Sequence, residues 1–397
     1  MKFATSSFRV VLCSLLLLLA PALTHASDVT VDCAGVNPGT FATISAALAS
    51  MTPSGPNSIF VTCNTTENVL IFGFTNLSIN AAPGTATVTA TDGNHRPLNI
   101  QNSFNVAIDG LNFTGGRGVF INSSNGISLG DGGISGSSGL GMVSLNSTVD
   151  LFGSSNTSLF TIQNSVRSGI SAQGGLLSLD GGVVVTNNGR FGVAMITGHL
   201  TLNGGDGGVT APDNIISNNG TGGVDVADTA ELDAGGGNSI LNSGGTGLQV
   251  IHTSTVIWGG GGTISGNHGP GVHIGETSHG EFDTVTITGN SGNGIEITDH
   301  SDGYIDGGVN SSTNTGAGIQ VTLSSVLNSL GGDTISNNAD DGIEVDLLSI
   351  VKFAANDTIT GNQEFALHCG NGSLVVGDTA AYKPKKCGPA FQATPID

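Results

Sequence analysis

The chain has 397 residues, of which 64 are glycine, 30 are acidic and 10 are basic, and its formal net charge is −20 at pH 7. Such an acidic surface argues against nucleic acid and anionic membranes as partners, and against polyanionic sugars unless cations bridge the like charges. An apolar fraction of 38% with clear periodicity separates the sequence from disordered glycine-rich chains.

The N-terminal segment 1–26 has the features of a signal peptide. Lys2 and Arg9 form a basic region before an apolar stretch over Val10–Leu19. The small residue Ala26 precedes a predicted cleavage site before Ser27. The stretch is short for a membrane span, and no later segment is long and apolar enough to be one. The mature chain, with a formal charge of −22 from 8 basic and 30 acidic residues, is therefore predicted to be soluble and secreted or periplasmic.

Residues 27–57 are predicted to form an N-terminal cap. An amphipathic pattern over 39–50 predicts a short helix, and Ile59–Val61 is predicted to be the first strand. Four cysteines remain after cleavage, and an even number in an exported protein indicates two disulfides. Because two cysteines lie near each end, Cys33–Cys63 and Cys369–Cys387 are the favoured pairs, although spacing leaves the two other pairings open.

The rest of the chain is a short repeat. Segments of the form Gly-apolar-x-apolar recur at intervals of 23 or 24 positions, starting at Gly247, Gly271, Gly294, Gly318 and Gly342. Looser spacing between Gly118 and Gly223 indicates inserted loops. Two further columns precede these glycines by seven and four positions: Ile216, Ile240, Ile264, Ile287, Ile335 and Ile359, with Ser311 as the exception, and Asn188, Asn219, Asn267, Asn290, Asn314, Asn338 and Asn362.

This period predicts an all-β solenoid with three short parallel strands in each coil. Apolar residues that alternate along a strand point into the tube, and stacked asparagines pass hydrogen bonds between coils. About thirteen coils are expected, which gives a rod on the order of 60 Å long. Propeller blades need a longer repeat, leucine-rich repeats need leucines, and calcium-binding nonapeptides have a shorter period. Residues 371–397 lose the register, and residues 369–397 are predicted to form a disulfide-linked C-terminal cap.

The opening segment carries a family resemblance. The run Gly39-Thr-Phe-Ala-Thr-Ile-Ser, continued by Ile59-Phe-Val-Thr-Cys-Asn-Thr-Thr-Glu-Asn-Val, resembles the entry segment of pectinesterases and their relatives. The chain is thus similar to the pectin-lyase-like superfamily, and this resemblance implies a single-stranded right-handed parallel β-helix with a capping helix. It does not imply one activity, because the scaffold supports many chemistries.

The family motifs are incomplete in this chain. The run Asn338-Ala-Asp340-Asp341-Gly342 resembles the double-aspartate coil of polygalacturonases, but Gly316 stands where these enzymes carry a third carboxylate. The arginine arrangements of pectate lyases and pectinesterases are missing. Asp340 and Asp341 are therefore candidate catalytic residues without a complete motif around them.

The x positions of the repeat predict a polar stripe along the outside of the rod. It consists of Gln249, His273, Glu296, Gln320, Glu344 and His368. Neighbours lie one strand spacing apart, so His273 is expected to contact Glu296, and Glu344 to contact His368. A histidine beside a carboxylate can perform acid–base chemistry or bind a divalent cation. It is also what a solvated face with favourable cross-strand pairs contains.

Four further residues are weaker candidates. Asp333 and Asp357 stack one coil apart, where calcium would relieve their repulsion, so calcium is a conceivable ligand although no cofactor is required. Trp258 and Tyr304 are aromatic residues within the coils that would suit stacking on sugars, unless their rings pack beside turns.

Two hypotheses of function follow. The first is a non-catalytic extracellular protein that binds a polysaccharide or serves as a surface or structural rod. The second is a polysaccharide-active enzyme, namely a lyase, an epimerase or a hydrolase, that uses the stripe from His273 to Glu344 and the pair Asp340–Asp341. A cleft built by the insertions between Gly141 and Gly223 over the stripe would favour the enzyme.

Overall fold

A computed structural model describes residues 27–35, 40–205, 212–354, 356–377, 379, 382–387 and 392–393. The predicted signal peptide lies outside these described residues. They form one short helix, α1 (Ile44–Ala49), and a long series of strands. No helix in this part of the chain has the length and apolar character needed to cross a membrane.

The strands are short and follow one another closely. The first thirteen are β1 (Ser27–Val31), β2 (Thr40–Phe41), β3 (Ser54–Val61), β4 (Thr65–Thr66), β5 (Val69–Phe72), β6 (Thr75–Asn80), β7 (Ala86–Thr89), β8 (Leu98–Gln101), β9 (Phe104–Asp109), β10 (Leu111–Thr114), β11 (Val119–Asn122), β12 (Asn125–Gly130) and β13 (Gly133–Ser135). The next seven, which include the longest strands, are β14 (Met142–Phe152), β15 (Phe160–Gln163), β16 (Ile170–Leu179), β17 (Val183–Thr186), β18 (Phe191–Leu202), β19 (Asn214–Ser217) and β20 (Gly222–Ala234).

The remaining strands lie in the most regular part of the chain and at its C-terminal end. They are β21 (Asn238–Leu241), β22 (Leu248–Val250), β23 (Thr255–Trp258), β24 (Gly262–Ser265), β25 (Val272–Ile274), β26 (His279–Asp283), β27 (Val285–Thr288), β28 (Ile295–Ile297), β29 (Asp302–Asp306), β30 (Asn310–Ser312), β31 (Ile319–Val321), β32 (Val326–Ser329), β33 (Thr334–Ser336), β34 (Ile343–Val345), β35 (Ile350–Phe353), β36 (Thr358–Thr360), β37 (Leu367–Cys369), β38 (Leu374–Val376), β39 (Lys385–Lys386) and β40 (Gln392–Ala393).

Each coil contributes three strands to two curved sheets. In the coil after Gly247, β22 is the first strand, β23 the second and β24 the third, and each pairs in parallel with its counterpart one coil later. First and second strands together form a 27-stranded front sheet, and third strands form a 13-stranded back sheet. The predicted parallel β-helix of about thirteen coils is therefore confirmed.

The core is a column of inward-facing aliphatic side chains. Leu248, Val256 and Ile264, one from each strand of a coil, have no exposed surface. Glycine directly precedes the first strands β22, β25, β28, β31 and β34 because the backbone there touches the next coil. A Cβ built on Gly271 would collide with Ile287 and with the amide of Asn290. The alternating pattern in the sequence thus translates directly into burial.

Two ladders of buried polar side chains hold the turns. The predicted asparagine ladder is confirmed: the Nδ2 atoms of Asn267, Asn290 and Asn314 each donate to the Oδ1 of the next asparagine at 3.0 Å. A second ladder, which the sequence analysis missed, runs through the turn between first and second strands. It consists of serines whose hydroxyls accept backbone N–H bonds at 3.1–3.2 Å, namely Ser254, Ser278, Ser301, Ser325 and Ser349.

The N-terminal end is closed by a smaller helix than predicted. The backbone is extended at Thr40–Phe41, and α1 begins only after its N-cap Thr43. Glu67 is buried and accepts bonds from Ile44 N and Ser45 N at 2.9 and 2.8 Å. A carboxylate at a helix N-terminus satisfies the free N–H groups there.

The first strand was also wrongly predicted. In the structure β1 precedes β3 and pairs with it in parallel. The disulfide Cys33–Cys63 links the segments that follow these two strands, which confirms the favoured pairing.

The C-terminal disulfide, Cys369–Cys387, is confirmed as well. The prediction that the register ends after Cys369 was wrong for part of the segment, because β38 pairs with β35 in the regular register and β39 and β40 add another layer. Tyr382 is buried at this end, with its ring 5.2 Å from the ring of Phe353.

Candidate functional site

The predicted stripe forms on the first strands of the front sheet. Gln249, His273, Glu296, Gln320, Glu344 and His368 lie opposite one another in unbroken register. The row extends one coil upstream, since Asp225 lies opposite Gln249. We refer to these seven residues as the polar stripe. The sequence contained the signal for Asp225, because it is the x residue of Gly223-Val-Asp-Val, 24 positions before Gln249.

The stripe is linked by hydrogen bonds between successive coils. Gln249 Nε2 donates to Asp225 Oδ1 at 3.2 Å, and Gln320 Nε2 donates to Glu344 Oε2 at 2.7 Å. The predicted contact of His273 with Glu296 is present, with Nδ1 and Oε2 3.1 Å apart. Both side chains of this pair are about one-quarter exposed, so each is held in place and still reachable from solvent.

His368 pairs with Asp341 instead of forming the expected pair with Glu344. Glu344 and His368 are neighbours in register, but the His368 ring bonds to Asp341, with Nδ1 and Oδ2 2.7 Å apart. Asp341 is buried and also accepts from Phe365 N at 2.9 Å. Its carboxylate therefore connects two coils, whereas Asp340 beside it is half-buried.

The two aromatic candidates have different surroundings. Trp258 has no exposed surface and fills the core, so the predicted stacking on sugars does not fit this residue. Tyr304 is 37% exposed on a second strand, and its ring lies 5.6 Å from the ring of His279. The alternation along β23 explains the difference, because Ile257 faces outward where a sugar-stacking ring would have to be.

Asp333 and Asp357 belong to a hydrogen-bonded turn. Asp333 is buried, and its Oδ1 accepts from Val309 N at 3.0 Å. Asp357 Oδ1 accepts from Asp333 N at 3.1 Å. The two side chains thus continue the coil-to-coil pattern of the asparagines, and burial raises the pKa of Asp333, with the neighbouring Asp357 charge adding to the shift.

Further histidine–carboxylate groups lie next to the stripe and were missed by the sequence analysis. His252 bridges Asp228 and Glu276 in the turn that follows the first strands. On the second strands, His279 contacts Asp302 at 2.6 Å. The signal was the coil period itself, which brings histidines and acids of neighbouring coils together.

Two clusters have the composition and spacing of cation ligands. His199, Glu231 and Asp233 form one, and Asp340, Asp341 and Glu364 form the other, each with ligand atoms within 4.8 Å of one another. Oxygen-rich groups of this kind suit hard divalent cations, and the histidine adds affinity for transition metals. Most of these side chains are partly exposed. In the first cluster His199 already pairs with both Glu231 and Asp233.

Burial changes the acidity of one stripe residue. It raises the pKa of Asp225 to about 6, an effect that the nearby His252 partly opposes. A similar environment raises the pKa of Asp150 to about 7, with the Asp180 charge adding to the effect of burial. Both carboxyl groups titrate closer to neutral pH than an exposed aspartate does.

Within the described residues, the insertions do not form the cleft over the stripe that would favour the enzyme hypothesis. Between Gly118 and Gly223 the longest coils run from Gly141 to Gly169 and from Gly192 to Gly223, that is, over 28 and 31 positions. In the first, the additional residues form a tight turn between β14 and β15, closed by bonds between Ser155 and Ser158. In the second they lie between β18 and β19, where residues 206–211 fall outside the described ranges. Both positions join second to third strands, whereas the polar stripe lies on first strands.

Comparisons with known proteins agree with the fold. A family model described as a right-handed beta helix region matches residues 256–390. Among solved structures, the A-module of a mannuronan C-5 epimerase from Azotobacter vinelandii is 13% identical, with a TM-score of 0.48 over 85% of this chain and 95% of that chain. A tailspike protein of bacteriophage CBA120 is 9% identical, with a TM-score of 0.41 over 86% and 60% of the two chains.

The catalytic domain of an α-1,3-glucanase is 15% identical, with a TM-score of 0.36 over 85% of this chain and 64% of that chain. A search of curated protein sequences gives no significant match. The coil architecture and the family model agree on the type of fold. The chain therefore contains a right-handed parallel β-helix.

Proposed function

We propose that the protein is a secreted, non-catalytic protein that binds polysaccharide along the polar stripe. The observation that carries this proposal is the unbroken row of hydrogen-bonding side chains on neighbouring strands, from Asp225 to His368. Amide, imidazole and carboxylate groups supply both donors and acceptors, which is the chemistry that sugar hydroxyls need.

The arrangement favours binding of an extended chain. Strands are spaced about 4.8 Å apart, so the stripe offers the same kind of contact repeatedly along one line. Weak contacts made in series by one ligand add up, because each later contact is effectively intramolecular. The bonds from Gln249 to Asp225 and from Gln320 to Glu344 hold the side chains in place before the ligand arrives, which lowers the entropic cost of binding.

The electrostatic surroundings favour a neutral glycan at this stripe. Residues 222–397 carry 20 acidic and 4 basic residues, a formal charge of −16. A polyanion would be repelled unless calcium or another divalent cation bridged the charges. Neutral hydroxyl groups meet no such repulsion.

The pair His273–Glu296 supports a second candidate, an acid–base enzyme. Its contact of 3.1 Å and its partial burial are suitable for proton transfer to a bound sugar. Catalysis of this kind benefits from a site that excludes water, however, and the stripe lies on an open strand face. We therefore rank binding above turnover.

The test is a binding assay with the mature chain and a panel of neutral and acidic polysaccharides, with and without calcium. The double variant Gln249→Ala/Gln320→Ala is expected to weaken binding of neutral polysaccharide roughly tenfold, because it removes two donor groups from the row. The matched control is Thr263→Ala/Thr286→Ala, which removes two partly exposed polar side chains from third strands on the back sheet. This control should bind like the wild type.

Two results would overturn the proposal. Equal weakening by the stripe and back-sheet variants would mean that the stripe is not the binding surface. Turnover, detected as new reducing ends or as absorbance of unsaturated products, that is lost in His273→Asn or Glu296→Gln would establish the enzyme instead.

A further inference from the structure

The basic residues of the mature chain are unevenly distributed. Every arginine after residue 26 lies in the N-terminal coils: Arg96, Arg117, Arg167 and Arg190. The lysines lie far away, at Lys352 and in the C-terminal segment. Residues 27–221 contain ten acids and these four arginines, so their formal charge is only −6.

The four arginines lie in different coils, but all are in the same turn of their coil, the turn that leads into the first strand. Arg117 N donates to His95 O at 2.8 Å, which places Arg117 one coil above Arg96. Arg167 N donates to Gly139 O at 2.9 Å, and Arg190 N donates to Arg167 O at 3.3 Å. The coil between Arg117 and Arg167 has no arginine in this turn, where it carries Ser138, Gly139 and Leu140.

A pocket of about 390 Å³ opens where the arginine row is interrupted. Arg96, Arg117 and Arg167 line it, together with the apolar side chains of Leu140 and Val143. None of the described residues that line this pocket is acidic, although the chain as a whole is strongly so. The nearby Asp92 is turned toward its own loop, where its carboxylate contacts His95 at 2.8 Å.

The pocket is also organised before any ligand binds. The guanidinium of Arg96 donates to Arg117 O at 3.0 Å and lies 4.7 Å from the centre of the Phe120 ring. Burial lowers the pKa of Arg96, and the charge of Arg117 adds to this effect. An anion bound between the two guanidinium groups would offset the repulsion between their charges.

We propose that this pocket binds the oxyanion groups of an acidic polysaccharide, either the carboxylates of uronic acids or sulfate esters. Guanidinium groups pair with planar carboxylates and with sulfate through two parallel N–H bonds. Leu140 and Val143 offer an apolar surface for the face of a sugar ring. The proposal extends the proposed function, because it assigns acidic sugars to the N-terminal coils while the polar stripe takes neutral ones.

The test measures binding of three short oligosaccharides by calorimetry without divalent cations. They are an oligogalacturonate, the same oligosaccharide with its carboxyl groups reduced to alcohols, and a sulfated neutral oligosaccharide. Wild-type protein is expected to bind one or both acidic ligands at least roughly tenfold more tightly than the reduced one. Stronger binding of the uronate or of the sulfated ligand identifies which oxyanion the pocket prefers.

The variant Arg117→Gln/Arg167→Gln is expected to lose at least roughly tenfold in affinity for the acidic ligand. Arg117→Lys, which keeps the charge but loses the paired donors, should lie between the double variant and the wild type. Lys352→Gln removes one positive charge from a second strand far from the pocket and should change the affinity less than about twofold.

Several results would overturn the proposal. One is equal binding of the acidic and the reduced oligosaccharides, and another is no binding of either acidic ligand. A third is equal weakening by Lys352→Gln and by the arginine variants, because this would reflect the net charge of the protein alone. Failure of the proposed function is a separate result. It would appear as unchanged binding of neutral polysaccharide by the stripe variant Gln249→Ala/Gln320→Ala, whatever the arginine variants do.

Discussion

The coils before residue 222 and those after it build the same tube with different surfaces. The early coils vary in length, from about 21 to 31 positions, and carry all four arginines that follow residue 26. The later coils keep a nearly constant period and carry 20 of the 30 acids. The difference shows that the inward positions determine the fold, while turns and outward positions are free to determine what the surface binds.

The two regions also differ in their buried turns. From Asn267 to Asn362 the asparagine ladder is continuous, with amide-to-amide bonds of 2.9–3.0 Å between coils. In the early coils the ladder is shorter: Asn188 Nδ2 donates to Asn219 Oδ1 at 3.1 Å, and one coil before Asn188 the position is Ser165, whose backbone N–H donates to Asn188 Oδ1 at 3.0 Å. Stability is therefore expected to depend on this turn much more in the late coils.

The largest effect is expected for Asn290→Ala. The Asn290 amide donates to Asn314 Oδ1 and Ile264 O and accepts two bonds from Asn267, all in a fully buried turn. Losing these bonds should lower the free energy of unfolding by about 4 kcal/mol, measured by chemical denaturation. Ser165→Ala is the control from the early coils and should cost less than about 1 kcal/mol, because the Ser165 hydroxyl has no hydrogen-bond partner among the described residues.

A loss of similar size in both variants would contradict the comparison, because the early and late turns would then contribute equally. A small loss in Asn290→Ala would mean that the coil backbone, rather than the ladder, holds the turn. The two outcomes are distinguishable, since they move different variants.

The disulfides are expected to come next in size. Replacing Cys33 and Cys63 by serine removes a link across 30 residues at the N-terminal end, where the coils are least regular. We expect a loss of about 3 kcal/mol, as for other loops of this length. Limited proteolysis should then begin at the N-terminal end. First cleavage in the late coils would show that the ends do not unfold independently, contrary to what nearest-neighbour stacking predicts.

Much of this architecture could be predicted from the sequence, for a physical reason. Gly271, Ile287 and Asn290 are buried against their counterparts in the next coil, so each position tolerates few residue types and the period is visible. The serine ladder at Ser254 and Ser278 obeys the same rule and was equally visible. The cysteine pairs were predictable because each lies at one end of the chain.

The surface was harder to predict, because outward contacts depend on turn geometry as well as on period. His368 lies beside Glu344 in register but bonds to Asp341, which a turn brings closer. The arginine pocket depends on a coil without arginine between Arg117 and Arg167, which no repeat pattern indicates. Trp258 is buried because the alternation along its strand turns it toward the core. The sequence analysis considered its aromatic ring and did not apply that alternation to it.

A smaller effect with a defined pH dependence is expected for Asp225→Asn. Burial raises the folded-state pKa of Asp225 from 3.8 to about 6, so the carboxyl favours folding fully below pH 3.8 and loses this contribution as the pH rises through 6. The asparagine cannot ionise and retains the acceptor for Gln249. The variant should therefore be about 1–2 kcal/mol more stable than the wild type above pH 7 and equal to it near pH 4.

The early coils offer a matched comparison in Asp150→Asn. The pKa of Asp150 is raised to about 7 by burial and by the charge of Asp180, so the sign of the effect should be the same. Thermal unfolding followed at several pH values measures both variants. A stabilisation that does not change with pH would show that lost ionisation is not its cause.

The smallest effect is expected for His252→Gln, although this residue makes two ion-pair contacts. His252 lies between Asp228 and Glu276, but all three side chains are about half exposed, so water screens their charges. The change in the free energy of unfolding should stay below about 1 kcal/mol and should shrink further in high salt. A loss of about 2 kcal/mol or more would mean that the acidic surface of the late coils is held together by its histidines. In that case a structural role would explain why histidines and acids alternate on this surface. Support for polysaccharide binding would then have to come from the stripe variants alone.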